Sequence, residues 1–492
     1  MMRAHALFGP RKWAADTAIA PAAHLSTRPL ALCLLAALAG QTSVSDAAPP
    51  AIAHMPLPGM AMPNAPTHAT AQTWTVKNCN DSGTDSLRDL IENPMNAKSG
   101  DTVDLSELPV RCSMVDSVIT LGSEIVVAQD DLTLQGPIQG TVTISAAHMS
   151  RVLHHTGVQT LVLNALRVSD GYFHTAANAY GGCIESDSGS VFLNHVIVSR
   201  CLVTSDNYAN GGGISAYTGN VTLIASQISG NQAKGVISGW GGGVYATGAM
   251  TAWYSSISGN TAQDGQAYGY GGGVAARGGA SLFASTIDNN TSGTGGGLAT
   301  LEFGPTTILN STISHNTASR QGGGLRARAD STVVANSTIA FNQSIDANGE
   351  GGLYFRGLAQ SSVLTLQSSI IANNTAGVAN PSDVYLYAGL GTLAGADNLV
   401  IAGNVFNPVV ITVMADPNLA PLQFNGGRTQ THMLLPGSPA LGKGNVNGLS
   451  PPWNTTDQRG SGYPRTSGPN ASVDIGAVQS NTIFADSFDA FF

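Results

Sequence analysis

Through the middle of this chain apolar residues alternate with small polar ones in strand-length runs, and the runs recur behind glycine triplets. Complete triplets stand at 211–213, 241–243, 271–273, 295–297 and 322–324. Degenerate ones stand at Gly181-Gly182-Cys183 and Gly351-Gly352, so that the interval is 24 to 30 residues. The next position holds Ile214, Val244, Val274, Leu298, Leu325 or Leu353, and two residues on stand Ala216, Ala246, Ala276, Thr300, Ala327 or Phe355. A period of two puts both columns on one face of a strand. A second alternating run follows, as in Val221-Thr222-Leu223-Ile224, then a phrase closed by Asn231, Asn260, Asn290, Asn316 or Asn342.

A repeat of this length buries its apolar face only against its neighbours, which is the mark of a solenoid. Helical solenoids need long stretches with a 3.6 period, and these repeats are instead crowded with Gly, Ser, Thr and Asn. The expected fold is therefore all-β, a right-handed parallel β-helix with N- and C-terminal caps. The five asparagines are expected to form an inward ladder, each amide bonding its equivalent about 4.8 Å away. The glycine triplets are expected to supply the left-handed corners between strands.

The positions between the inward columns are expected to face solvent. They are Ser215, Tyr245, Ala275, Ala299, Arg326 and Tyr354, then Tyr217, Thr247, Arg277, Leu301, Arg328 and Arg356. Tyr180, Trp240 and Tyr270 immediately precede triplets. Stacked in register, these columns make a stripe, aromatic at one end and arginine-bearing at the other. Aromatic rings stack on sugars and guanidinium forks hold carboxylates or sulfates. Tyr180, Trp240, Tyr270, Arg277, Arg326, Arg328 and Arg356 are thus candidate ligands for an acidic polysaccharide or cell-surface glycan. An outer stripe that only shields the sheet is the alternative for any one of them.

Composition narrows the classes. The 492 residues include 59 Gly but only 10% charged residues, and the net charge is −9. The 42% hydrophobic content and the strict period argue against disorder, and the absence of a basic run argues against nucleic acid as a partner. Residues 1–47 read as an export signal: Arg3, Arg11, Lys12 and Arg28 precede an apolar run at 30–40, and Ser45-Asp46-Ala47 offers a cleavage site. Residues 48–72 read as a flexible linker, 73–150 as an N-terminal cap and first coils, 151–400 as β-helix repeats. Residues 401–480 follow as a C-terminal capping module and 481–492 as a tail. With the signal removed, no segment has the eighteen apolar residues a spanning helix needs. Four cysteines remain, Cys79, Cys112, Cys183 and Cys201, an even number that favours disulfides in an exported chain. Order along the chain suggests Cys79 with Cys112. Cys183 and Cys201 stand where later repeats carry the third glycine and the ladder asparagine; they either pair within that rung or are small buried residues.

The stretch Cys79-Asn80-Asp81-Ser82-Gly83, with Ser86-Leu87-Arg88 and Ser99-Gly100-Asp101-Thr102-Val103-Asp104-Leu105, resembles the N-terminal cap of bacterial exported β-helix proteins with a Cys-Ser-Leu-Arg-type signature. It departs from them in separating the Cys from Ser-Leu-Arg. The glycine triplets and Ile-x-x-Asn phrases resemble polymorphic outer-membrane-protein repeats. Asn425-Gly426-Gly427, Pro436-Gly437-Ser438-Pro439-Ala440 and Asp457-Gln458-Arg459-Gly460 resemble a choice-of-anchor Q module. The resemblance implies a secreted or surface protein of a Gram-negative bacterium, in the periplasm, outer membrane or medium, and no defined reaction. Asp457, Arg459, Arg465 and Asp474 are expected to fix that module's irregular loops as ion pairs.

Three functions stay open: polysaccharide binding or adhesion, cleavage by a polysaccharide lyase or hydrolase of pectate-lyase-like fold, and a ligand-free surface spacer. A shared fold is analogy rather than evidence of activity. The repeat acids Asp264, Asp288, Glu302, Asp330, Asp346 and Glu350 are scattered, Lys234 stands alone, and no catalytic residue is assigned. No cofactor is expected; the Asp/Asn/Gly-rich loops lack the nonapeptide spacing of calcium-binding rolls, so a calcium ion has no motif behind it and the metal content stays unknown.

Overall fold

The structure is a computed structural model. It describes residues 71–480 apart from 109–111, 113–115, 265–268, 303, 405–406, 448, 450–452 and 467–471. All described residues belong to one compact unit, Met55–Phe492. The expected signal, most of the linker and the tail lie outside them.

The repeat unit forms as a coil of parallel strands. In one coil Ile214–Ala216 lies in a ten-stranded front sheet, Val221–Ile224 in a twelve-stranded flank sheet, and Gln227–Ser229 in a twelve-stranded back sheet. About eleven such turns stack into a right-handed parallel β-solenoid. Register is one to one: Ile214 pairs with Val244, Val244 with Val274, and Val274 with Leu298. These residues and the alanines two positions on are fully buried, so each column is a file of like side chains along the core. Each such Val, Leu or Ile contributes roughly 1.5–3 kcal/mol of burial.

Buried polar files hold the corners. Asn231 Nδ2 donates to Asn260 Oδ1 at 2.9 Å, and the chain of amides continues through Asn290, Asn316 and Asn342 to Asn374 and Asp383. A second file, which the sequence reading did not single out, runs through Ser226, Ser255, Ser285, Ser311, Ser337 and Ser369. From Ser255 onward each hydroxyl oxygen accepts the backbone N–H of the serine one coil before, at 3.1–3.2 Å.

The glycine triplets work differently from the expectation. Only the first of each complete triplet has positive φ, from 62° to 68°. The second is required by close approach: a Cβ on Gly212 would lie 2.2 Å from the Gly242 carbonyl oxygen. The third packs its Cα against the ladder, where a Cβ on Gly213 would meet the Asn231 amide at 3.1 Å. In the first such rung Cys183 replaces that glycine and Cys201 replaces the asparagine, and the two form a disulfide; Cys79 and Cys112 form the other. The Cys201 backbone N–H still donates to Asn231 Oδ1 at 3.1 Å, so the disulfide begins the ladder.

Between the ladder asparagine and the next triplet the chain leaves the coil, runs out along Gln232–Gly235 and returns along Ser238–Trp240. Stacked excursions make a two-layer fin, with Ala179, Val203, Ala209 and Ala233 packed between the layers. The fin strands continue by bridges from Trp240 to Tyr270 to Thr294.

Residues 401–480 were expected as a capping module: Ile411–Val413 adds the last strand of the back sheet, and from 417 onward the contacts run along the coil sides. Gln458 Nε2 donates to Thr286 Oγ1 at 2.9 Å and Thr312 donates to Gln458 Oε1 at 2.6 Å. Arg465 is fully buried and its pKa is pushed down to about 10 by that burial. It donates to Asn310 Oδ1 and to the Asn336, Gly476 and Ala477 carbonyls rather than to a carboxylate. Arg459 does pair with Asp457, at 2.6 Å. Trp453 stacks on Phe283, whose other neighbour is Trp253. Tyr254, Ala284, Asn310 and Asn336 turn the corner there in left-handed conformations; the returning segment donates to the Ala284 and Asn336 carbonyls from Thr429 and Arg465, and accepts from the Asn310 side chain at the Trp453 carbonyl.

Candidate functional site

The fin stands beside the outer face of the front sheet, and the two meet at the glycine corners. The rings just before the triplets pack from the fin against that sheet, and the strip along which fin and sheet meet, running with the solenoid axis, is the candidate groove. Tyr180 meets Tyr217 edge-on at 4.8 Å, Trp240 meets Tyr245 at 6.2 Å, and Trp240 meets Tyr270 at 5.0 Å. The stripe residues are thus brought together. Several do not face solvent as expected: Ser215, Tyr245, Ala275, Ala299, Leu301 and Tyr354 are buried. The cause is the fin, whose Tyr180, Trp240 and Tyr270 rings pack over Tyr245, Ala275, Ala299 and Leu301. The small side chains at 275 and 299 make room for those rings. Burial pushes the Tyr180 hydroxyl up to about 12, with the neighbouring Tyr217 adding to it.

Toward the C-terminal coils the groove becomes cationic. Arg277 is taken by an ion pair with Glu302. Arg326 lies over Tyr270 at 5.5 Å and Arg356 over Tyr387 at 4.9 Å, while Tyr354 and Tyr385 stack at 5.5 Å. Arg328 and Arg356 are directly opposite on adjacent strands. Burial lowers the pKa of Arg326, and the like charges of Arg328 and Arg356 lower it further. Ser215 Oγ, Arg326 Nε and Glu350 Oε2 are buried without a hydrogen-bond partner among the described residues. The Glu350 carboxyl is pushed up to about 7, first by burial and then by Asp346.

At the N-terminal end lies a charged cluster that sequence reasoning missed. Arg151, 2% exposed, holds Glu124 at 2.6 Å and Glu185 at 2.5 Å, donates to the Tyr180 and Gly181 carbonyls, and lies 3.9 Å over the Phe173 ring. His154 contacts Asp187 at 3.1 Å and Glu124 at 3.7 Å. Burial raises the Glu185 carboxyl to about 7, and the Asp187 and Glu124 carboxylates add to this against Arg151 and His154. The Glu124 hydrogen bond raises His154, and the same contact lowers Glu124. The ligand atoms of His154, Glu185 and Asp187 lie within 4.8 Å of one another, a set able to hold a cation, although Arg151 already supplies positive charge there.

The other repeat acids stay apart. Asp288 is buried on the back sheet with its carboxyl raised to about 6 by burial, Asp330 is exposed, and the Asp264 side chain lies outside the described residues. His315 is an exposed turn residue with φ 56° and stacks on Phe341 at 5.4 Å. Among the described residues no helix is long and apolar enough to cross a membrane.

No protein-family model matches the chain, and no curated protein matches it. Among solved structures it is similar to one titled as the crystal structure of pectate lyase Pel9A, at 10% identity and a TM-score of 0.47. The alignment covers 84% of this chain and 97% of that one.

Proposed function

We propose that this protein binds a polysaccharide along the groove between fin and front sheet, acting as an exported surface or extracellular protein of a Gram-negative bacterium, in adhesion or glycan capture. The observation that carries the reading is the file of aromatic rings, Tyr180, Tyr217, Trp240 and Tyr270, on successive coils of one face. Stacked coils repeat every 4.8 Å or so, so a chain laid along the axis meets a new ring at each step. Export is supported by the signal-like N-terminus and by two disulfides, which persist in oxidising compartments. The test is retention of the purified protein on immobilised neutral, uronate-bearing and sulfated polysaccharides. Trp240→Ala with Tyr270→Ala is expected to weaken retention at least about tenfold, about 1.4 kcal/mol. Equal retention of wild type and variant on every matrix discards the proposal.

A second reading, cleavage of the bound glycan, is favoured by one feature. Glu185 is a carboxyl raised to about 7, beside the Asp187 carboxylate and Arg151, and it lies at one end of the groove. A general acid for glycoside cleavage needs such a pKa. New reducing ends or an unsaturated uronate released by wild type, and lost in Glu185→Gln, support cleavage; their absence leaves binding alone.

A further inference from the structure

Resting on the groove reading, we propose that Arg326, Arg328 and Arg356 form a single subsite for a tetrahedral oxyanion ester, a sulfate or phosphate monoester on an otherwise uncharged glycan. Among the described residues none of the three guanidinium groups pairs with a carboxylate. Their contacts are ring faces and one carbonyl: Tyr270 below Arg326, Tyr387 below Arg356, and the Leu301 oxygen 3.5 Å from Arg328. Like charges directly opposite on adjacent strands are destabilising, and a buried donor without a partner carries its full desolvation cost. Arg328 opposite Arg356, with Arg326 Nε buried and unbonded, shows both conditions at one place. An anion bound there relieves both.

The arrangement also says which anion. One arginine fork matches a planar carboxylate, whereas three arginines on two neighbouring strands, Arg326 and Arg328 on one and Arg356 opposite Arg328 on the next, offer enough donors for an ion with three terminal oxygens. A polyuronate carries a carboxylate on every ring and would call for cations repeated along the groove. Here Arg277 is neutralised by Glu302, the coils between Tyr180 and Tyr270 present rings, and the uncompensated positive charge falls on two adjacent coils. The groove therefore suits a neutral chain with one ester group held at its C-terminal end.

The experiment compares wild type, Arg328→Gln with Arg356→Gln, and Trp240→Ala with Tyr270→Ala on dextran, dextran sulfate, a phosphorylated mannan and polygalacturonate. Thermal melts are run with and without millimolar inorganic sulfate or phosphate. The arginine variant is expected to lose at least about tenfold in retention on the sulfated or the phosphorylated matrix while holding within about twofold on the others. Whichever of these two matrices shows the loss identifies the ester. Sulfate or phosphate should raise the melting temperature of wild type more than that of the arginine variant, which reads the subsite without any glycan. The subsite is overturned if polygalacturonate depends on the arginines as strongly, or if neither ester matrix nor either anion distinguishes the arginine variant from wild type. Loss only in the aromatic variant removes the subsite and leaves the groove; loss in neither removes both.

Discussion

The Asn290 side chain bonds five groups on three coils, one of them the Asn260 Nδ2 that donates to its Oδ1 at 3.0 Å. Its Nδ2 donates to the Ile257 and Asp288 carbonyls and to Asn316 Oδ1, all at 2.9 Å, and its Oδ1 accepts from the Asn260 backbone at 2.9 Å. Replacing Asn290 with Ala leaves several of these groups buried and unpaired, at about 1–3 kcal/mol each. The Asn290→Ala variant should lose at least about 3 kcal/mol in denaturant titration; a loss near zero contradicts the ladder's role. That file was legible because asparagine closes every phrase at one position. The serine file was not, because serine is spread through the repeats and no column stands out. The Glu185 cluster was hidden for another reason: Glu124, Arg151 and His154 precede the first triplet, where no repeat marks the register. Glu185 makes a prediction with a definite sign. Its folded pKa, about 7, exceeds the ordinary 4.5. The unfolded chain therefore ionises first, and stability from this group is intact below about pH 4.5 and is lost as pH rises toward 7. Compared with wild type, Glu185→Gln should fare better at pH 8 than at pH 4 in thermal melts; the reverse order contradicts the assignment.

At the level of the element, the variable period has a structural cause. Ten residues separate Asn231 from Gly241 but only five separate Asn290 from Gly295, and the difference is the length of the fin excursion. The core strands keep their length while the wall beside the groove falls toward the arginine coils. The interval of 24 to 30 residues was plain in the sequence. Its meaning was not, because a strand that leaves the coil and returns has the same alternation as one that stays. The same ambiguity placed Tyr245 and Tyr354 in solvent: period two tells inside from outside, and a second layer outside leaves no mark on it. The disulfide at the start of the ladder ties the first regular rung. Cys183 and Cys201 are 18 residues apart, and opening a loop of that size costs about 3 kcal/mol. Cys183→Ser with Cys201→Ser should lower stability by that order and raise amide exchange first in Leu202–Ser205 and Ile184–Ser186. Exchange that rises evenly through all coils would show that the bond does not act locally.

Across the whole molecule, stacking in register turns a weak per-repeat signal into a continuous surface. The fold and the stacking of equivalent residues in columns were readable, since neighbours along the axis are equivalent in sequence; which columns face solvent was not. That the capping module turns back along the coil side from 417 onward was not legible, because its contacts, such as Gln458 with Thr286 and Arg465 with Asn310, link residues more than 150 apart with no periodic trace. It covers the side away from the groove, which leaves the front sheet and fin as the face open to a chain ligand. Hydrogen–deuterium exchange with and without a bound oligosaccharide tests that division most directly. The account predicts slowed exchange confined to Ser238–Trp240, Val244–Ala246, Leu325–Arg328 and Leu353–Arg356. Slowed exchange confined to the back sheet and residues 417–480, with the groove strands unchanged, would contradict it.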